Sequence, residues 1–197
     1  MENAETVKKV LAGDVQAFRH IIEEYQKKLY DLAFRMIGNK QEAEDVLQDS
    51  FLKMYSRLGQ YNPAYKFNNW AYTITLNLIR NFLRRKAVLC FVYLDASSAE
   101  EAPKPELPDL SQNIEKELRG RETMGLLETA VKKLPAKLRE TVILHYFHHN
   151  NIPETAGILG VSENVVSVRL SRAREILYKE LAGSFSELSR DAGNHME

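Results

Sequence analysis

The stretch that most constrains the fold is IPETAGILGVSENVVSVRLSRAR, residues 152 to 174, which reads as two short helices joined by a tight turn. Ala156, Ile158 and Leu159 give the first helix an apolar side. Gly160 allows a backbone turn that a Cβ resists, and Ser162 is placed to cap the second helix. In that second helix Val166, Leu170, Ala173 and Leu177 recur at helical spacing and are expected to face inward, leaving Glu163, Asn164, Ser167, Ser171, Arg172 and Arg174 outward. Such a set reaches base edges and phosphates in a major groove. An ordinary helical hairpin with a basic, solvated face is the other reading of the same residues.

A chain of 197 residues with 44% hydrophobic content holds one ordinary domain or two small ones. No apolar run approaches the ~20 residues that span a bilayer. The opening MENAETVKKVLAGD also lacks the apolar core of a secretory signal, so a cytoplasmic location without membrane insertion is expected. The single cysteine, Cys90, has no partner for a disulfide or a thiolate metal site, which fits a reducing compartment. Zero net charge conceals a segregation. Residues 1–86 carry 14 Lys/Arg against 10 Asp/Glu, residues 87–122 carry 4 against 8, and residues 123–197 carry 9 of each. A basic domain, an acidic connector and a neutral domain with a basic helix accommodate a nucleic-acid ligand that the average hides.

Helical patterning begins at Asp14, a candidate cap, and runs to about Ile37 with Phe18, Ile21, Ile22, Tyr25, Leu29, Leu32, Ala33 and Met36 on one face. Gly38 ends it. Asn39 then caps a helix to about Leu58 whose inward stripe is read as Ala43, Val46, Leu47, Phe51 and Tyr55. Residues 59–68 contain Pro63 and read as a loop. From Asn69 the series Trp70, Ile74, Leu78, Phe82 predicts a third helix ending in Arg84, Arg85 and Lys86. The apolar, β-prone run VLCFVYL (88–94) precedes SSAEEAPKPELPD, whose prolines and acids are the makeup of a flexible tether. Helical patterning resumes from about Ile114 to Leu134, then from Leu138 to His149, and residues 183–197 read as a short mobile tail. The expected fold is all-α: two small helical domains, 1–86 and 113–182, joined by a flexible acidic linker over 87–112, with a helix–turn–helix in the second.

Three clusters carry candidate chemistry. Glu42, Glu44, Asp45 and Asp49 lie close together without a His companion, so a solvated or protein-binding face is read in preference to a metal site. Residues 61–86 interleave Tyr61, Tyr65, Phe67, Trp70 and Tyr72 with Asn68, Asn69, Asn77, Arg80, Asn81, Arg84 and Arg85. Phe67 and Trp70 individually read as core. Asn77, Arg80, Asn81 and Arg84 gather amide and guanidinium donors on one side of a helix, suited to single-stranded or melted DNA. His145, His148 and His149 offer nitrogens but no acidic or Cys companion, so helix-end histidines are read rather than a metal site. No phosphate loop or nucleophile–base constellation is present, so neither catalysis nor a cofactor is expected.

Taken in order, AEDVLQDSF (43–51), KFNNWAYTITLNLIRNFLRRK (66–86), LPAKLRETVILHYF (134–147) and the helix–turn–helix resemble the bacterial sigma-70-type sigma factors, in particular the extracytoplasmic-function branch that has only regions 2 and 4. The resemblance spans about residues 5–182. It implies a sigma factor that binds core RNA polymerase and directs promoter-specific initiation. Glu44, Asp45, Gln48, Asp49 and Phe51 would then dock on the β′ clamp helices, and the second domain would meet the β flap. Tyr65, Phe67, Asn68, Asn69, Trp70, Asn77, Arg80, Asn81, Arg84 and Arg85 would open and capture the −10 strand, while Asn164, Ser167, Arg169, Ser171, Arg172 and Arg174 would read the −35 duplex. The resemblance further implies an anti-sigma factor as a partner, which could hold the chain at the membrane. The family's Gly-Thr-Val-Lys-Ser-Arg-like entry to the recognition helix is replaced by Asn164-Val165-Val166-Ser167-Val168-Arg169, which exchanges Thr for Val165 and Lys for Ser167. A stand-alone DNA-binding regulator, and a mimic that sequesters sigma partners, are the rival readings.

Overall fold

The computed structural model describes residues 2–94 and 116–193, and no strand occurs among the described residues. Most of the acidic tether expected from the composition falls on residues 95–115, outside them. The chain divides into two compact helical units.

The first unit contains α1 (Glu2–Leu11), α2 (Phe18–Ile37), α3 (Lys40–Ser56) and α4 (Phe67–Leu94). Helix α2 is its centre: Ile21, Leu29, Leu32 and Ala33 are fully buried, and α3 and α4 both pack on it and on each other. Local chemistry sets the joints. Asp14 Oδ1 accepts from Ala17 N at 3.2 Å and caps a short 3₁₀ turn, Val15–Ala17, that leads into α2. Gly38 adopts φ 82°, closing α2 with its N–H on the Phe34 carbonyl, and Asn39 Oδ1 then accepts from Glu42 N at 3.0 Å to start α3.

Four features depart from the sequence reading. Helix α1 precedes the expected first helix. Only Val7 and Val10 of its apolar residues are buried, which is too sparse a signal for periodicity. The inward stripe of α3 is Ala43, Val46, Ser50 and Met54, so Leu47 and Phe51 are only half-buried and Tyr55 is exposed. Ser50 is admitted because its hydroxyl donates to the Val46 carbonyl at 2.6 Å, which removes the cost of burying it. In α4 the series Trp70, Ile74, Leu78, Phe82 is half-buried, and the buried face is Phe67, Ala71, Tyr72, Thr75, Leu76 and Ile79. A strict four-residue spacing advances about 40° beyond a full turn at each step and drifts off the core. Finally, α4 continues through the β-prone run to Leu94, and the last helix, Glu163–Gly193, continues through the expected tail. Residues 67–94 contain no Gly or Pro, and extending a formed helix is far easier than starting one.

The second unit contains α5 (Lys116–Lys133), α6 (Ala136–Val142), a π-helical turn (Ile143–Phe147), α7 (Ile152–Leu159) and α8 (Glu163–Gly193). Helices α5 and α6 pack on α8, around Val131, Leu134, Ile143, Leu144, Val166, Leu170 and Ala173. The joint before α7 is tightly bonded: buried Asn150 donates from its amide to the Leu144 carbonyl at 3.0 Å, and His145 Nδ1 donates to the Asn150 carbonyl at 2.8 Å. A capping box comes next, with Glu154 N on Asn151 Oδ1 at 2.9 Å and Asn151 N on Glu154 Oε2 at 3.0 Å. Gly160, at φ 68°, turns the chain from α7 towards α8, and Ser162 Oγ accepts from Val165 N at 3.4 Å at the start of α8. The helix–turn–helix read from the sequence is thus present: of its expected inward residues Val166, Leu170 and Ala173 are buried, while Leu177 is half-buried.

Candidate nucleic-acid and partner interfaces

On α3 the helical period places Glu44, Asp45, Gln48 and Asp49 in solvent once Ala43, Val46, Ser50 and Met54 turn inward. Beside these polar groups lie apolar side chains, of which the sequence reading assigned only Phe51 to this face. Leu52 is 69% exposed, Tyr55 is 44% exposed with its ring edge-on to Phe18 at 5.2 Å, and Phe51 is half-buried. The face is therefore mixed, acids next to an unburied Leu and Tyr, which is the composition of a protein-binding surface with an apolar centre and a charged rim. The missed signal is Ser50: once its hydroxyl is allowed to bond within the helix, the inward stripe shifts and Leu52 emerges.

The loop between α3 and α4 is built from rings. Phe67 is buried, 4% exposed, with its centroid 5.4 Å from Tyr25, 5.1 Å from Tyr61 and 5.3 Å from Trp70. It therefore holds the loop in place and cannot face a strand without leaving the core. Trp70, half-buried, shares this packing. Tyr61 donates its hydroxyl to the Tyr65 carbonyl at 2.7 Å, and burial raises its pKa, so it remains a neutral donor. Asn62 adds an Asx turn, its Oδ1 accepting from Ala64 N at 2.9 Å. These bonds present Tyr65, 71% exposed, as the loop's open ring. Asn68 and Asn69 are half-buried in the first turn of α4.

Further along α4, Asn77, Asn81, Arg84 and Arg85 are exposed and Arg80 is half-buried. Arg80 Nη1 donates to Asn77 Oδ1 at 3.4 Å, and Arg84 Nη2 donates to Asn81 Oδ1 at 2.9 Å. Each amide oxygen is occupied by the guanidinium one turn on. Both amide nitrogens keep their donors for an external acceptor. Lys86 Nζ contacts both Glu42 oxygens, at 2.6 and 2.8 Å, and so ties the basic stretch of α4 to the start of α3. Glu42, which the docking set does not include, is thereby engaged within the unit.

On α8, Asn164, Ser167, Ser171, Arg172 and Arg174 are exposed and Arg169 is half-buried. Ser167 Oγ donates to the Glu163 carbonyl at 3.1 Å, which turns its hydroxyl proton into the helix. Of the three histidines, His145 is committed to Asn150 and His149 sits exposed at φ 53°. Among the described residues no group of three or more His, Cys, Asp or Glu side chains is arranged to hold a metal ion.

A helix–turn–helix in one unit, with a donor-rich helix, an open ring and an acidic–apolar face in the other, places the chain among helix–turn–helix DNA-binding proteins. Residues 21–88 match the family model of sigma-70 region 2, and residues 124–177 match that of sigma-70 region 4. The chain is 33% identical over 181 residues to the ECF RNA polymerase sigma factor SigW of Bacillus subtilis, covering 89% of this chain and 94% of that protein. It is 29% identical to the RNA polymerase sigma-H factor of Pseudomonas aeruginosa, covering 91% and 94% respectively. Among solved structures, CnrH in complex with the cytosolic domain of CnrY shares the fold, with a TM-score of 0.66 at 21% identity over 90% of this chain and 96% of that one. RpoE in complex with the anti-sigma factor NepR from Bartonella quintana has the same TM-score and identity over 84% of this chain and 96% of that one. The chain belongs to the sigma-70 family, in its extracytoplasmic-function branch.

Proposed function

We propose that this protein binds core RNA polymerase and directs promoter-specific initiation, as an initiation factor without catalysis of its own. Residues 1–86 act as region 2, 87–112 as the connector, 113–182 as region 4 and 183–197 as a tail. The observation that carries this reading is the mixed face of α3, since a repressor that only binds duplex has no use for exposed Leu52 and Tyr55 beside Glu44, Asp45 and Asp49. That face docks on the β′ clamp helices, and the second unit meets the β flap. Tyr65 and the Asn77–Arg84 stripe take the separated −10 strand, and α8 reads the −35 duplex. The family relationship also supports an anti-sigma factor as a regulator, held with the chain in the cytoplasm or at the membrane. Among the described residues no helix is long and apolar enough to cross a membrane. Abortive transcription from a genomic fragment library, run with and without core enzyme, tests the assignment. Initiation only in the presence of both is expected, whereas tight sequence-specific binding by the free chain without transcription identifies a stand-alone regulator.

Two further expectations concern promoter reading. Arg172→Ala should cost about 1–3 kcal/mol at one upstream base pair and relax preference there, because a lost bidentate contact penalises the matched base most. Competition between matched and single-mismatch promoters measures this. Asn77→Ala and Asn81→Ala should slow strand opening on duplex promoter but act weakly on a premelted one, because their partners are exposed only after the strands part. Permanganate reactivity reports the opening. Equal defects on both templates, accompanied by weaker closed-complex binding, place the two side chains before melting instead.

A further inference from the structure

The buried residues of α8 fix which side chain lies at the centre of its outward face. At about 100° per residue, Val166, Leu170 and Ala173 lie about 160°, 200° and 140° around the helix from Val168. Val168 is therefore diametrically opposite the core, and it is 42% exposed. Asn164 and Arg172 flank it one turn before and one turn after, and Val165, 38% exposed, lies beside it. Arg169 and Arg174 sit about 100° and 120° to either side, so they face the walls of a groove rather than its floor. Glu175, exposed on the same line, is two turns further from the helix N-terminus, the end that enters a major groove in this motif.

A side chain at the centre of the face makes the closest approach to base edges, and here it is a branched hydrocarbon with no donor or acceptor. In the major groove the one apolar feature a base pair offers is the thymine 5-methyl group. We infer that Val168, supported by Val165, reads a thymine methyl in the upstream duplex element, while Asn164 and Arg172 read hydrogen-bonding edges on either side and Arg169 and Arg174 hold phosphates. This rests on the reading of α8 as the upstream duplex reader and adds the chemistry of its central contact.

The test uses full-length protein with core polymerase on a promoter recovered from a random-sequence library. Each thymine of the upstream element is replaced singly by deoxyuridine, which removes only the methyl group, and abortive product is measured. One position should lose about fourfold with the unsubstituted protein, the worth of one methyl removed from water. The same replacement should have no effect with Val168→Ala, whose exposed site leaves folding intact by circular dichroism. Val168→Thr, of nearly the same shape, should retain part of the effect through its remaining methyl. If scrambling the whole element abolishes initiation while no single deoxyuridine matters, or if one matters equally in Val168→Ala, the methyl contact is refuted and α8 remains the reader. If scrambling the element changes nothing, the reading of α8 fails as well.

Discussion

Asp45→Arg is expected to weaken binding to core polymerase by a factor on the order of a hundred, since setting a like charge against a complementary surface costs several kcal/mol. The magnitude comes from the position of the side chain. Asp45 is exposed beside Glu44 and Asp49, on a face whose apolar members are already in water, so a partner that covers Leu52 and Tyr55 also desolvates the carboxylates around them. The substitution leaves the fold alone because Asp45 packs against nothing in the core. Gln48→Ala on the same face should act in the same direction and more weakly, having no charge to reverse. A titration of labelled chain with core enzyme measures the loss, and a thermal unfolding curve by circular dichroism reports the fold. Unchanged affinity in both variants removes α3 from the interface.

Leu29→Ala is expected to destabilise the first unit by about 2–5 kcal/mol, the range for deleting a buried Leu side chain from a site that cannot collapse. Leu29 is fully buried on α2, the helix against which both α3 and α4 pack. A cavity there loosens the common support of the faces proposed for docking and for strand capture. Urea unfolding followed by circular dichroism should show a lower midpoint, and transcription should fall further at raised temperature than at low temperature. Binding of α8 to upstream duplex should change little. A Leu29→Ala protein as stable as the unsubstituted one would falsify the placement of this core.

What could be read from the sequence, and what could not, divides along the reach of the interactions. Asp14, Gly38, Asn39 and Gly160 were legible because a cap or a left-handed turn is decided by one residue and its immediate neighbours. The buried series Val166, Leu170, Ala173 was legible because all its members are apolar at helical spacing. On α3 the same rule failed at Ser50, whose hydroxyl bonds the Val46 carbonyl and so passes for apolar in the core, turning the helix away from the face that hydrophobicity alone suggests. Phe67 taken by itself was read as core, which its burial matches, but its partner Tyr25 lies 42 positions earlier in the chain, and no local pattern carries that pairing. The extension of α4 to Leu94 went unread because β-branched residues lower helix propensity only slightly, too little to stop a helix already formed.

The exposed Leu52 and Tyr55 of α3 also bear on how much of this protein a cell can carry. A surface of that kind is inert while covered and adhesive when bare, so the hazard scales with the amount of free chain rather than with the total. If this face docks as proposed, copies made in excess of their partners are expected to be the ones that self-associate or pass to chaperones and proteases, so the supply of partners sets an upper bound on useful abundance.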